Sequence, residues 1–216
     1  MTRVLVTGSA GQLGRQVVLD ARAAGDLVAG LGRQEPEPCD LTDERGVRAL
    51  VTAFAPDLIV HAGAWTAVDA CEADPVRACG AYGPNMVRPV LRLAAEHAEL
   101  RFVHDQVGNP TFTADLSPAL LHLGEQRAAG TFHVTNQGAV SWYELAGEVL
   151  AASGLDPNRV RPVATSDLEP ARPAPRPANS VLDNTALRTA GFAELAHHRI
   201  PLQDLVDRLS RESGPA

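Results

Sequence analysis

Apolar residues stand in short unbroken runs near the start of the chain and at helical spacing further on. Val4-Leu5-Val6 is such a run, the pattern of a parallel strand covered on both faces, and it marks a strand over Arg3 to Thr7. Gly8 to Gly14 turns the chain and opens a helix through about Ala24, which Gly25 closes. Leu27 to Leu31 reads as a second strand, and Thr42 or Asp43 caps a helix from about Glu44 to Phe54. A third strand follows at Leu58 to His61. Residues 3–61 therefore read β-α-β-α-β, one mononucleotide-binding half of a doubly wound fold.

Beyond the loop after His61, a short helix is expected near Val68 and another from Asn85 to His97, with Pro89 in its first turn. Arg101 to His104 is a short strand, and Asp105 to Thr111 is rich in turn residues. A helix over Asp115 to Leu123, with Pro118 in its first turn, precedes a strand over Gly130 to Thr135. Ser141 caps a helix from Trp142 to about Ser153, ended by Gly154. Arg159 to Ala164 reads as a strand and Glu169 to Pro177 as polyproline II. Small helices over Leu182 to Thr189 and Pro201 to Ser210 end the pattern, the last with Leu202, Leu205, Val206 and Leu209 on one face. The fold class is α/β: a Rossmann-like doubly wound parallel sheet, truncated, with a smaller mixed α/β substrate-binding region. The change of character near residue 80 places a nucleotide-binding half at 1–80 and a second region, with the C-terminal helices, at 81–216.

Composition narrows the classes. The chain of 216 residues is 45% apolar and carries a formal charge of −7, with 19 basic against 26 acidic residues. All of the basic residues are arginine; there is no lysine. No basic cluster alternates with aromatics, so nucleic acid is not an expected partner. No apolar run is long enough to span a bilayer and no signal pattern opens the chain, so a cytoplasmic, membrane-free protein is expected. Cys39, Cys71 and Cys79 form no Cys-x-x-Cys pair, so reduced thiols and no metal site are expected.

The glycine turn carries the first chemistry. Gly8-x-x-Gly11-x-x-Gly14 follows a strand and opens a helix. Gly8 permits a tight turn, Gly11 lets backbone approach a pyrophosphate, and Gly14 lets the helix pack close on the sheet. The helix start adds oriented N–H groups and a positive dipole end. Leu31-Gly32-Arg33 puts a cation where an acid would select NAD, so a 2′-phosphate is favoured and NADP(H) over NAD(H). Arg33 as a plain surface residue is the alternative. Asp40 and Leu41 stand where an adenine ring could be met, or where a helix is capped. His61 reads as a packed or hydrogen-bonded histidine rather than a base.

Several stretches together resemble the dTDP-4-dehydrorhamnose reductase family of extended short-chain dehydrogenases/reductases. They are Val4 to Gly14, Asp40 to Asp43, Pro56 to Asp69, Asp105 to Leu116, Ser141 to Glu144 and Arg176 to Asp183. Asp105-Gln106-Val107-Gly108-Asn109-Pro110-Thr111 and Arg176-Pro177-Ala178-Asn179-Ser180-Val181-Leu182 are the specific ones. The resemblance implies NADPH-dependent reduction of the 4-keto group of a dTDP-deoxysugar, in dTDP-L-rhamnose formation. It places Gly8, Ser9, Gln12, Leu13, Asp40, Leu41, Ala62, Gly63 and Ala64 on the cofactor. It places Asp105, Gln106, Pro110, Thr111 and Arg176 near the sugar nucleotide. His61 and Gly63 stand where the family usually has Asn and Ala.

The family also carries a Tyr-x-x-x-Lys helix, whose tyrosine protonates the carbonyl oxygen and whose lysine lowers that tyrosine's pKa. Here Tyr82 and Tyr143 are followed at the fourth position by Met86 and Gly147, so the dyad is absent and no catalytic residue is assigned. An internal deletion between about residues 78 and 82 accounts for this. With the later strands gone, the edge of Arg3 to Thr7 would lie open, to be covered by the second half of the chain, a second copy or a partner subunit. Pairing of that strand on both sides by its usual parallel partners would sink this argument for the deletion. The alternative to an impaired reductase is a non-catalytic NAD(P)- or nucleotide-sugar-binding partner subunit. The superfamily resemblance extends to one, a regulatory subunit of a methionine adenosyltransferase.

Overall fold

A computed structural model describes residues 1–32, 39–41, 43–63, 86–170 and 174–212. The chain forms two compact units, Met1–Gly83 with Ser117–Gly130, and Pro84–Leu116 with Thr131–Ala216.

The first unit is built on the expected strand β1, Arg3–Thr7, in which Val4, Leu5 and Val6 are all at most 1% exposed. Successive side chains of a strand point to opposite faces, so this run feeds two cores. Val4 and Val6 meet Val17 and Ala21 of α1 (Gln12–Ala23) and Leu121. Leu5 meets Leu31, Cys39 and the apolar side of α2 (Glu44–Phe54). A run apolar at every position is therefore what a strand covered on both faces requires. Gly25, at φ +85°, follows the end of α1, and the Asp43 side chain caps α2 by accepting from Gly46 N. The last turn of α2 has no cation of its own. Arg3 supplies one, with Nε donating to the Phe54 carbonyl at 2.8 Å and the guanidinium over the Phe54 ring.

Strand β2, Leu27–Leu31, and strand β3, Leu58–His61, lie on opposite sides of β1 in the order β2-β1-β3, all parallel. This overturns the expectation that the edge of β1 is open. The chain crosses over after α2 and adds β3 on the far side of β1, so the strand order reverses there and β1 is central. Among the described residues, the outer edges of this sheet belong to β2 and β3.

The second unit is organised around a later helix pair. Helix α3 is Val87–Glu96, with Pro89 in its first turn as expected. Strand β4, Leu100–Val103, is followed by the two-residue strand β5, Val107–Gly108, and by the start of helix α4, Thr113–Glu125, whose residues from Ser117 on belong to the first unit. Strand β6, Val140–Ser141, leads into α5, Trp142–Ala152, whose Leu145, Ala146, Val149 and Leu150 are buried. Strand β7, Val160–Val163, pairs parallel with β4; α6 (Thr185–Thr189) and α7 (Arg199–Glu212) complete the order. The main core joins Val87, Val90 and Ala94 of α3 to α5 and to Leu202, Val206 and Leu209 of α7. The Arg159 guanidinium closes the end of α3, donating to the carbonyls of Ala94, His97 and Ala98.

Two local expectations fail. Helix α4 begins at Thr113, so Pro118 lies inside it rather than in its first turn. Gly130 to Thr135 forms no strand. Thr135 and Asn136 are buried, and side chains rather than a ladder satisfy this backbone: Asn184 Nδ2 donates to the Thr135 carbonyl at 3.0 Å. The expected helix near Val68 and part of the Glu169 to Pro177 stretch lie outside the described residues. Among the described residues no helix is long and apolar enough to cross a membrane.

Candidate functional site

In the first unit the glycine turn sits at the carboxyl ends of β1, β2 and β3, where the strand order reverses. Open α/β sheets receive ligands at such a reversal. The turn is stitched to β2 through one carbonyl, that of Leu31, which accepts from Gly8 N at 2.8 Å, Ser9 N at 3.4 Å and Ser9 Oγ at 3.2 Å. Gly11 N donates to the Gly8 carbonyl at 2.9 Å, and Ala62 N donates to the Thr7 carbonyl at 3.0 Å, tying in the end of β3.

Gly8 and Gly14 are demanded by this packing. Gly8 has φ +66°, and a Cβ there would lie 2.7 Å from both N and Cα of Gly63. A Cβ on Gly14 would collide with the Gly8 carbonyl oxygen and come within 2.8 Å of its carbon. Gly11 is the N-cap of α1, makes no side-chain cap bond, and no acidic residue follows in the first turn. The start of α1 thus offers positive potential with no internal carboxylate to neutralise it. Gln12 and Leu13 begin the helix itself, and Ala62 and Gly63 follow β3 beside Gly8. These residues fit a pyrophosphate cradle.

Around the turn, His61 Nδ1 lies 2.5 Å from Thr7 Oγ1, joining the ends of β3 and β1. His61 is exposed, so of the packed or hydrogen-bonded histidine that the sequence suggested it is the hydrogen-bonded one. Asp40 is exposed and Leu41 half-buried, and the Asp40 carbonyl accepts from Asp43 N at 2.9 Å just before α2. Cys39 is buried among apolar residues. Burial, with the nearby charges of Asp43 and Asp40, pushes its thiol pKa up, away from the thiolate. Arg33 and Ala64 lie outside the described residues.

The second unit brings the two specific stretches together. Val107 N donates to the Ala178 carbonyl, and Ser180 N to the Val107 carbonyl. Asn109 Oδ1 accepts from Leu182 N at 2.9 Å. Strand β5 also pairs with β6 next to α5, whose cap is a reciprocal Ser141–Glu144 box. Thr111 Oγ1 donates to the Asn109 carbonyl at 3.1 Å, and Pro110 lies between them. Arg176 folds back, donating from Nη1 to the Ala174 carbonyl at 2.7 Å.

Asp105 and Gln106 follow β4 and meet Thr165, which follows β7. Thr165 N and Oγ1 donate to the two Asp105 carboxylate oxygens at 2.9 and 2.6 Å, and Gln106 Nε2 donates to Thr165 Oγ1 at 2.8 Å. The Thr165 bonds hold the Asp105 carboxyl below the usual carboxylate range, so it works as an acceptor and not as an acid.

Sequence reasoning missed Asn136, which is fully buried. Its Oδ1 accepts from Phe112 N at 2.8 Å, and its Nδ2 donates to Asp115 Oδ2 at 2.5 Å and the Ala196 carbonyl at 2.9 Å. It also missed His198, fully buried between Glu148 Oε2 at 2.6 Å and the Gln137 carbonyl at 3.1 Å. No spacing rule marks either.

Comparison with known proteins agrees with this arrangement. The family described as RmlD substrate binding domain matches residues 1–81 and 78–211. A dTDP-4-dehydrorhamnose reductase of Streptomyces griseus is 32% identical over 297 aligned positions, covering 98% of this chain and 95% of that protein. That alignment is longer than this chain, so the relative has positions that this chain lacks. Among solved structures, a dTDP-4-dehydrorhamnose reductase of Clostridium acetobutylicum superposes with a TM-score of 0.85 at 24% identity, over 96% of this chain and 99% of the other. One from Bacillus anthracis, in complex with NADP, gives 0.84 at 22% identity, over 98% and 99%. With the sequence match running along nearly its whole length, the chain belongs to the dTDP-4-dehydrorhamnose reductase family.

Proposed function

We propose that this chain is a dTDP-4-dehydrorhamnose reductase-type protein that binds NADP(H) and a dTDP-deoxysugar but is impaired in the reduction itself. The observation that carries the binding half is the Gly8–Gly14 turn at the strand reversal, where side chains at Gly8 or Gly14 would collide with backbone. In this reading residues 1–80 hold the cofactor. Gly8, Ser9, Gly11, Gln12, Leu13 and Gly14 cradle its pyrophosphate, Ala62, Gly63 and Ala64 line its far side, Asp40 and Leu41 meet the adenine, and Arg33 takes the 2′-phosphate. Arg33 in the place of an acid supports NADP(H) over NAD(H), as does the NADP bound by the Bacillus anthracis relative. Residues 81–216 hold the sugar nucleotide through Asp105, Gln106, Pro110, Thr111 and Arg176. When bound, the reduced nicotinamide supplies a hydride.

The reduction also needs a proton delivered to the carbonyl oxygen, and here the chain falls short. It has no lysine and no Tyr-x-x-x-Lys helix, and Asp105 is held ionised. A missing internal block near residues 78–82 explains the loss. Two observations support it: the family matches in two pieces that meet at residues 78–81, and the Streptomyces griseus relative has positions that this chain lacks. Strand β1 is paired on both sides by parallel strands and keeps no open edge, so the block rests on these two observations alone.

The test is to titrate NADPH, NADH and dTDP by calorimetry and to follow NADPH absorbance with a dTDP-4-keto-6-deoxysugar. Binding of NADPH and dTDP with turnover at least about a thousandfold below that of a relative bearing the dyad is the expected result, general acid catalysis being worth about 100- to 10,000-fold. Turnover at a relative's rate overturns the impairment. Absence of binding by a cooperatively folded protein overturns the assignment of both ligands.

A further inference from the structure

The carboxyl ends of the parallel pair β4 and β7 are joined by a single side chain that neither the glycine motif nor the specific stretches contain. Asp105 stands two residues after β4, and Thr165 two residues after β7. The ladder ends at Val103 opposite Val163, with His104 N donating to the Val163 carbonyl at 3.1 Å. Beyond that point the two segments are joined through Thr165: its N–H and hydroxyl go to the two Asp105 oxygens, and its hydroxyl oxygen receives Gln106 Nε2.

The direction of these bonds is forced. An ionised carboxylate only accepts, and a threonine hydroxyl has one proton to give. That proton goes to Asp105, so towards Gln106 the hydroxyl can only accept. Gln106 must then turn its NH2 towards Thr165, leaving its Oε1 as the acceptor offered elsewhere. A glutamine amide without such a partner is free to present either end.

We propose that Thr165 is a positioning residue for sugar-nucleotide binding, joining the carboxyl ends of β4 and β7 and fixing which end of the Gln106 amide faces the ligand. This rests on the reading that Asp105 and Gln106 meet the sugar nucleotide. Ligands of parallel strands collect outside their carboxyl ends, which is where this clamp stands. Asp105 serves the clamp: both its oxygens are engaged by Thr165, so it orients Thr165 as Thr165 orients Gln106.

The probe is dTDP, titrated by calorimetry against the full chain, with NADPH titrated in parallel. Thr165→Val keeps the shape and backbone N–H but removes the hydroxyl, and Thr165→Ser keeps the hydroxyl. The expected result is dTDP binding weaker by about tenfold in Thr165→Val and within about twofold of wild type in Thr165→Ser, with NADPH affinity unchanged. Because Thr165 acts through Gln106, Gln106→Ala should weaken dTDP binding in the wild-type background and add little on top of Thr165→Val. Unchanged dTDP affinity in Thr165→Val overturns the proposal, as does a Thr165→Ser variant no better than Thr165→Val. Equal losses of dTDP and NADPH binding with a lowered melting temperature point to a general structural role and also overturn it. If Thr165→Val does not fold, Thr165→Ser and Gln106→Ala decide: Thr165→Ser weakened beyond twofold, or Gln106→Ala binding dTDP like wild type, overturns it. Wild-type protein that binds NADPH but not dTDP removes the sugar-nucleotide reading, and the proposal with it.

Discussion

The glycine turn of the first unit and the knotted loops of the second are made of different material. The turn is backbone packed on backbone: Gly8 against Gly63, Gly14 against Gly8, and three bonds converging on the Leu31 carbonyl. The knot around Asp105 to Leu182 is side chains standing in for backbone, with Asn109, Asn136, Asn184 and Asp105 satisfying main-chain groups that no ladder reaches. Backbone packing tolerates one residue type and has no slack, whereas a side-chain clamp tolerates any residue that reaches the same atoms. The first unit should therefore fail by steric collision, and the second by unsatisfied polar groups.

The largest effect is expected at Gly8. Gly8→Ala adds a Cβ within 2.7 Å of the Gly63 backbone at a positive φ, combining overpacking with left-handed strain, about 4 kcal/mol in all. Gly25→Ala is the control. Its φ is +85° but nothing lies within 4 Å, so only the conformational cost of about 1 kcal/mol remains. Denaturant unfolding of the two variants, with NADPH titration, measures the difference. Equal losses would show that φ, and not the approach to Gly63, makes Gly8 necessary, and the contrast between the units would weaken.

Asn136→Ala comes next. It leaves Phe112 N–H, the Ala196 carbonyl and one Asp115 oxygen without their partner in a buried site, for a loss of about 3 kcal/mol. The comparison sharpens if dTDP binding falls further than NADPH binding in this variant, measured on the protein that remains folded. A neutral Asn136→Ala would mean that the knot is held by its apolar neighbours instead.

This contrast also explains what could be read in advance. Strands β1 to β3 and both helices between them were legible to within a residue or two, because unbroken apolar runs, glycine spacing and an Asp43 cap are local signals. The place of β3 was not: nothing local tells on which side of β1 a strand will pair. In the second unit the Ser141–Glu144 cap and the Leu202, Val206 and Leu209 face of α7 were legible for the same local reason. Gly130 to Thr135 was not: it pairs with no strand, and the Thr135 carbonyl is met by the amide of Asn184, 49 residues on. Thr165 escaped notice because its partners lie 60 residues away and no motif includes it.

A smaller effect is expected where the second unit uses a local device. Ser141→Ala removes one side of the capping box at α5, for about 1 kcal/mol. The helix is otherwise anchored by four buried apolar residues, so the fold should survive with a lowered urea midpoint. A loss as large as that of Asn136→Ala would make the cap part of the knot, through the β5–β6 pair, and not merely a helix end.

The smallest expected effect separates the two materials by acid. Bonds to Thr165, Ser141 and Thr185 hold the carboxyls of Asp105, Glu144 and Asp183, respectively, below their ordinary range, and all three lie in the second unit. A carboxyl whose pKa is lower folded than unfolded binds fewer protons in the folded state between those two values, so unfolding is harder as pH rises through that window. The stabilisation is complete above the ordinary range, near about pH 4, and is lost as pH falls towards the lowered folded values. The bonds that hold the glycine turn to β2 come from backbone amides and a serine hydroxyl, which do not titrate there. Urea midpoints between about pH 6 and pH 3 should therefore fall with acid, and less steeply in Asp105→Asn, where one of the three carboxyls is gone. Glu144 and Asp183 are exposed and Asp105 is half-buried, so solvent screens all three and the difference in slope should be small. An identical slope in Asp105→Asn would mean that the Thr165 clamp holds the ends of β4 and β7 equally well without a charge.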